Sequence, residues 1–287
     1  MRRRLASQVA SHYGGGVRAV YDTAPFYAPG PYEAWLLAAC RERLALTSTQ
    51  TLADIGGGSG AFAAKLKQAT DARWLSVVEP SAEMLAGAKS DPVVDLALCA
   101  GALEWAQDDH VDGDGSIAPI RYDRVLLKEV VHHFEASDRP RLFSELRTRR
   151  LADSGRVLIV TRPQRNIDYP LWEAAREVWA DNQPSEAKLI DELRAAGFAH
   201  VECHTHTYPH TVPVDEWCRL VRGRFWSTFA NFSDEELERG CQQICDAATR
   251  RSPPADASDE KLQFEDRLLL IVASLPASPP ASPPSSP

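Results

Sequence analysis

Two stretches of this chain carry residue types at spacings that suit chemistry. The first is Asp54-Ile-Gly-Gly-Gly-Ser-Gly60, where an apolar run ends in an acid and four glycines follow within five residues before a helical pattern begins. That order reads as a strand, a tight turn and a helix start. Glycines at 56, 58 and 60 would let a ligand approach the backbone, and the first N–H groups of the helix would point into the same space. So many glycines destabilise a bare turn through chain entropy, so the turn is expected to cradle an extended polar ligand. The second stretch is Lys128, Glu129, His132 and His133, which follows an apolar run. A histidine titrates in the range a general base needs at neutral pH. His132 and His133 are therefore the catalytic candidates. The competing reading makes His133 structural and His132 either a pocket wall or a helix contact.

The glycines do not choose the ligand alone. Gly56-x-Gly58-x-x-Ala61 also satisfies the dinucleotide pattern, in which a pyrophosphate sits on the helix N-terminus. Asp54 argues the other way, because a carboxylate two residues before the first glycine repels a pyrophosphate and suits a cation. S-adenosylmethionine (SAM) carries a sulfonium and an ammonium. Trp74-Leu-Ser-Val-Val-Glu79 reads as a second buried strand, ending 19 residues after Gly60 in an acid able to accept both ribose hydroxyls. Glu79 fits the adenosine half of either NAD or SAM. Three functions stay open on these residues: methyl transfer from SAM, a non-catalytic SAM-binding protein, and an NAD-dependent oxidoreductase using the same turn.

With those residues in hand, the chain resembles the class I SAM-dependent methyltransferases over roughly residues 50 to 165. The matching runs are Asp54 to Gly60, Glu79-Pro-Ser-Ala-Glu-Met84, Cys99-Ala-Gly-Ala-Leu-Glu104, Tyr122 to Phe134 and Gly155-Arg-Val-Leu-Ile-Val160. The resemblance implies that Asp54, Gly56, Gly57 and Gly58 hold the methionine part of SAM, that Glu79 binds the ribose, and that Pro80 and Met84 line the adenine. Ala102 and Leu103 would offer backbone groups to the adenine edge. Many members carry Asp where this chain has Ala102, so Glu104 or the backbone alone would serve there. Lys128 would reach the SAM carboxylate region chiefly through its backbone. S-adenosylhomocysteine (SAH) would be the product. The implied fold is α/β and doubly wound: a seven-stranded, mostly parallel Rossmann-like sheet of order 3-2-1-4-5-7-6, with helices on both faces and a helical insertion before the last strand.

Methyl transfer needs an acceptor lone pair in line behind an already activated methyl, so proximity can supply most of the rate, up to ~7–11 kcal/mol in ideal cases. A base is required only where the acceptor starts protonated. No Asn-Pro-Pro-Tyr or Asp-Pro-Pro-Tyr run follows the fourth strand, which argues against acceptors that are amide or base nitrogens. Tyr21, Tyr27 and Tyr32 cluster with prolines near the N-terminus and, with Trp226, are candidates for the substrate pocket. His204 and His206 share a strand face but have no convincing third ligand, and we expect no metal.

Composition narrows the partners. The 287 residues carry 40 acidic and 32 basic side chains, a net charge of −8. That sign disfavours sequence-independent nucleic-acid binding. No apolar run reaches membrane-spanning length. A small-molecule acceptor is expected, with the chain a monomer or homodimer. Six cysteines without a C-x-x-C pair suit reduced thiols in the cytoplasm. Arg2, Arg3, Arg4 and Arg18 without an acid among them also suit an organelle transit peptide or an amphipathic helix that closes over a ligand.

The expected organisation is a helical segment or lid over 1–46, a core over 47–212, a helical insertion over 213–260, the last core strand over 261–275, and a disordered Pro/Ser/Ala tail over 276–287. Helices are expected at 31–46, 60–69, 138–151 and 186–197, with Ser81 capping another. Strands are expected at 51–55, 74–79, 96–99, 124–128, 156–161, 200–211 and 263–274. Ser233 and Glu236 form a candidate capping box in the insertion, and 108–116 reads as a surface loop.

Overall fold

The computed structural model describes residues 24, 26, 29–108, 121–251 and 261–275. The arginine-rich start, Tyr21, Tyr27, most of the 108–116 stretch and the Pro/Ser/Ala tail lie outside the described residues. The elements run α1 (Pro31–Leu44), β1 (Thr51–Ile55), α2 (Ala61–Thr70), β2 (Trp74–Val78), α3 (Ala82–Ser90), β3 (Leu96–Leu98), α4 (Ala102–Gln107), β4 (Tyr122–Lys128), α5 (Arg139–Glu145), β5 (Leu151–Thr161), α6 (Glu173–Asn182), α7 (Glu186–Ala195), β6 (His200–Pro213), α8 (Val214–Arg222), α9 (Asp234–Arg251) and β7 (Lys261–Ser274).

Seven strands form one sheet of order β3-β2-β1-β4-β5-β7-β6. The first five are parallel, and β7 pairs antiparallel with both β5 and β6. The order is the one expected. Side chains alternate between the faces of each strand, so Leu52, Leu126, Leu158 and Val160 enter one apolar cluster and Ala53, Ile55, Val125, Leu127, Val157 and Ile159 the other. Helices α1, α2, α3, α6, α8 and α9 cover the first face, and α4, α5 and α7 the second. Strands buried on both faces need near-continuous apolar runs, as β1, β4 and β5 have.

The end of α5 departs from expectation. The helix stops at Glu145, a wide π turn covers Leu146–Arg150, and Leu151 already belongs to β5. Leu151 pairs with Tyr122 while Arg156 pairs with Arg124, so the register jumps and a bulge separates the start of β5 from its regular part. The helix α6 has no counterpart in the sequence reading; it buries Ala175, Trp179 and Ala180.

The insertion is core rather than appendage. Trp217, Leu220, Val221, Phe225 and Phe229 are fully buried, each worth ~1.5–3 kcal/mol of apolar burial for side chains of this size. The Ser233 capping box forms, with Glu236 N–H donating to Ser233 Oγ at 3.3 Å and Ser233 N–H to Glu236 Oε2 at 2.8 Å. Among the described residues no helix is long and apolar enough to cross a membrane.

Candidate functional site

The crevice lies at the carboxyl ends of β1, β2 and β4, where the strand order reverses around β1. Gly56, Gly58 and Gly60 all have positive φ, 69°, 57° and 74°, a region L side chains rarely adopt. Their surroundings differ, and this refines the expectation that all three clear a path for a ligand. A Cβ at Gly56 would lie 2.4 Å from Val130 Cγ2, and one at Gly60 would lie 3.1 Å from both Ala88 and Val77. A Cβ at Gly57 would meet Asp54 Oδ2 at 2.5 Å. These three glycines admit protein neighbours. A Cβ at Gly58 would meet one flexible atom, Met84 Cε, at 3.2 Å, so Gly58 is where the backbone is open to a ligand. Met84, expected beside the adenine, stands next to that opening.

Glu79 is tied to the turn directly. Gly58 N–H donates to its Oε2 at 3.1 Å and Ser81 N–H to its Oε1 at 2.9 Å. Burial raises its pKa above the ordinary carboxyl value, while those two bonds oppose the rise. Each carboxylate oxygen keeps a second lone pair, so the ribose role survives. Pro80 follows in the exposed corner, where Cys99 Sγ donates to its carbonyl at 3.6 Å. Asp54 is 4% exposed. Burial pushes its pKa to about 7, against the pull of Lys128 and with a further rise from Glu79. A buried carboxyl poised at neutrality fits a cationic ligand group.

Ala102 and Leu103 open α4, whose cap residue is Gly101. Glu104 turns back onto Gly101 N–H at 3.2 Å. It serves its own helix, which leaves first-turn backbone donors for an adenine edge. Lys128 ends β4 with its ammonium 5.0 Å above the Phe62 ring. Burial lowers its pKa, helped by Arg162 and opposed by Asp54, Cys40 and Glu33.

His132 and His133 form a 3-10 turn after β4, their rings 4.0 Å apart. Burial lowers the His132 pKa to about 4, so the ring is neutral near pH 7, and its buried Nδ1 has no hydrogen-bond partner. His204 pairs with Glu202 at 3.3 Å, and among the described residues no cluster of three or more His, Cys, Asp or Glu is placed to hold a metal ion. A shallow cleft lined by Arg43, Arg156, His200, Glu202, His204 and Ser274 lies at the opposite ends of the strands and shares no residue with the crevice.

A second constellation, at the carboxyl end of β5, is absent from the sequence reading apart from Tyr32, Trp226 and Glu129. Arg162 is 3% exposed and pairs with the fully buried Asp266 through two bonds of 3.1 Å, and with Glu129. Tyr32 Oη donates to Asp266 Oδ2 at 2.5 Å, and Tyr169 Oη donates to Oδ1. These bonds and Arg162 outweigh the desolvation of Asp266 and hold its carboxyl below the ordinary range. The guanidinium lies over the rings of Phe26, Trp226 and Tyr169 at 5.3, 5.4 and 6.0 Å, a cation–π arrangement. Tyr32 and Trp226, the described members of the expected pocket, thus meet at one place, both buried.

This sheet, with its seventh strand antiparallel and an acid-glycine turn after β1, is the fold of the class I SAM-dependent methyltransferases. No family model and no curated relative matches the chain. Solved structures do. Phosphoethanolamine N-methyltransferase 2 of Haemonchus contortus, in complex with phosphomonomethylethanolamine and SAH, is 17% identical with a TM-score of 0.53; the match covers 96% of this chain and 58% of that one. Cyclopropane synthase MmaA2 of Mycobacterium tuberculosis is 16% identical over 93% of this chain and 98% of its own, with a TM-score of 0.56. The [4+2]-cyclase SpnF is 16% identical over 95% and 97%, with the same TM-score of 0.56.

Proposed function

We propose that the protein is a SAM-dependent methyltransferase acting on a small-molecule acceptor, in the cytoplasm, as a monomer or homodimer without a nucleic-acid or membrane partner. The observation that carries the reading is the pairing of an open Gly58 backbone with the buried Asp54 and the Gly58-bound Glu79, in a sheet ending in an antiparallel strand. A dinucleotide-binding sheet has the all-parallel order 3-2-1-4-5-6, and a pyrophosphate would meet the Asp54 carboxylate. The similar structures in complex with SAH support SAM as the methyl donor.

In this reading Asp54 faces the ammonium of SAM, Glu79 the ribose hydroxyls, and the first turn of α4 the adenine. Residues that would hold the adenosine lie at β2 and β3, which would leave the β4 and β5 side of the crevice to the acceptor. Catalysis rests mainly on holding donor and acceptor in line. His132, neutral at pH 7, suits a pocket wall better than a proton carrier.

The test is incubation of the protein with methyl-labelled SAM and a fractionated cell extract, with Gly58→Ala as control. Label in a small-molecule fraction is the expected result. Label in protein or RNA overturns the acceptor class. SAH binding without label supports a non-catalytic SAM-binding protein, and NADH binding without SAH binding restores the oxidoreductase reading.

A further inference from the structure

We infer that Glu129 is the catalytic base for an amine acceptor, a primary or secondary amine carrying an apolar body. This deepens, and rests on, the methyltransferase reading.

Three observations about Glu129 converge. Its φ is 58°, a left-handed conformation that strains a non-glycine residue and gathers at functional sites. One carboxylate oxygen pairs with Arg162, while the other, Oε1, is buried and has no hydrogen-bond partner. A buried carboxylate oxygen left unpaired is costly, and such a group calls for an explanation. The third observation is position. Glu129 N–H donates to Val160 O at 2.8 Å, and its neighbour Val130 packs against Gly56 of the cofactor turn. Glu129 therefore stands on the β4–β5 side of the crevice, the side the proposed function leaves to the acceptor. A hydrogen-bond donor arriving there would fill the vacant valence.

Charge selects the donor. Around Arg162 one guanidinium faces two carboxylates, Glu129 and Asp266, and Lys128 is a second cation within electrostatic reach. The guanidinium already covers the rings of Phe26, Tyr169 and Trp226, so the vacant valence of Glu129 Oε1 itself selects the acceptor. A carboxylate oxygen takes a hydrogen-bond donor, and most strongly a cationic one. An ammonium supplies both donor and charge; a carboxylate is repelled, and an alcohol supplies no charge. In the transfer an N–H bond of the bound ammonium breaks and its proton passes to Oε1. The freed nitrogen lone pair forms the N–C bond to the methyl. The C–S bond breaks with its electron pair going to sulfur, which leaves SAH and an N-methylated product.

The test uses full-length protein, labelled SAM, and benzylamine, phenethylamine and ethanolamine set against benzyl alcohol, phenol and benzoate. Wild type should methylate amines in preference to the oxygen acceptors. Glu129→Gln should stay folded, with a lower melting temperature from the weakened Arg162 pair, and keep its SAM and SAH affinities while kcat/KM for the amine falls about 100-fold or more, the scale of a lost general base. Three results overturn the inference: methylation of the oxygen acceptors or of no amine, an undiminished Glu129→Gln rate, or a Glu129→Gln variant that loses SAM affinity while keeping SAH affinity. The last would mean that Oε1 reads the sulfonium. SAH binding by wild type in the same samples tells separately whether the methyltransferase reading stands.

Discussion

Replacing Asp54 with Asn should make the protein more stable at pH 8 and leave it unable to bind SAH. The carboxyl ionises near 7 in the folded chain because burial strips its hydration, against an ordinary value of 3.8. Below about pH 4 the group is protonated in both states and costs nothing. Between about 4 and 7 the unfolded chain has released the proton while the folded chain retains it, so stability falls as pH rises and levels off above 7. The full cost is about 4 kcal/mol at 1.36 kcal/mol per pKa unit, an upper figure. The Asp54→Asn variant carries no such charge. Its advantage at pH 5 should be about two fifths of that at pH 8, where it reaches about 2–4 kcal/mol, read as a difference in urea midpoints at constant slope. Calorimetry of SAH binding to wild type below pH 7 should show proton release, because the ligand ammonium favours the ionised carboxylate. A stability difference that stays constant between pH 5 and 8 would refute the argument.

Three further outcomes follow from the same geometry. Glu79→Ala should weaken SAH binding about 10- to 100-fold, from ~1.5–3 kcal/mol for hydrogen bonds to a charged group; unchanged affinity by calorimetry would remove Glu79 from the ribose. Gly58→Ala should lose about 1–2 kcal/mol of stability from its left-handed φ and also lose SAH affinity. Gly57→Ala should lose more stability, because its Cβ meets the buried Asp54 carboxylate; equal denaturation midpoints would place the opening elsewhere. Asp266→Asn should cost about 3–5 kcal/mol, the scale for breaking a buried pair, and a loss below about 1 kcal/mol in denaturant titration would show that Arg162 is held by its other contacts.

The glycine turn and the acids beside it were legible because their signals are local. Asp54 to Gly60 lies within one turn, and Glu79 is one helix and one strand away. Even there the sequence could not assign each glycine a neighbour: Gly56 is required by Val130, which is 74 residues distant. The start of β5 escapes a sequence reading because Arg147, Arg149 and Arg150 continue a helical pattern that the π turn ends, and the bulge hides the pairing of Leu151 with Tyr122. The cluster around Arg162, proposed above as the acceptor half, was largely illegible. Asp266 is separated from Tyr32 by 234 residues, from Arg162 by 104 and from Tyr169 by 97. In Gln263-Phe-Glu-Asp-Arg267 the alternation puts Asp266 on the buried face of Phe264, with Gln263 and Glu265 outward, but an acid there does not name partners this far away in the chain.

The two halves are joined at one peptide. Val130 closes on Gly56 and so helps shape the cofactor turn, while Glu129, one residue earlier, reaches Arg162 at the acceptor end. Consecutive side chains in a regular strand point to opposite faces, which here would send one of the two into the other core layer. The left-handed φ at Glu129 ends that alternation as β4 ends. Its backbone N–H still holds Val160 O, so the turn is fixed to β5 and Arg162, two residues beyond Val160, moves with it. A displacement at Glu129 would therefore disturb both the Gly56 turn and the Arg162 pair, which in the proposed reading are the seat of the methyl donor and the charge facing the acceptor.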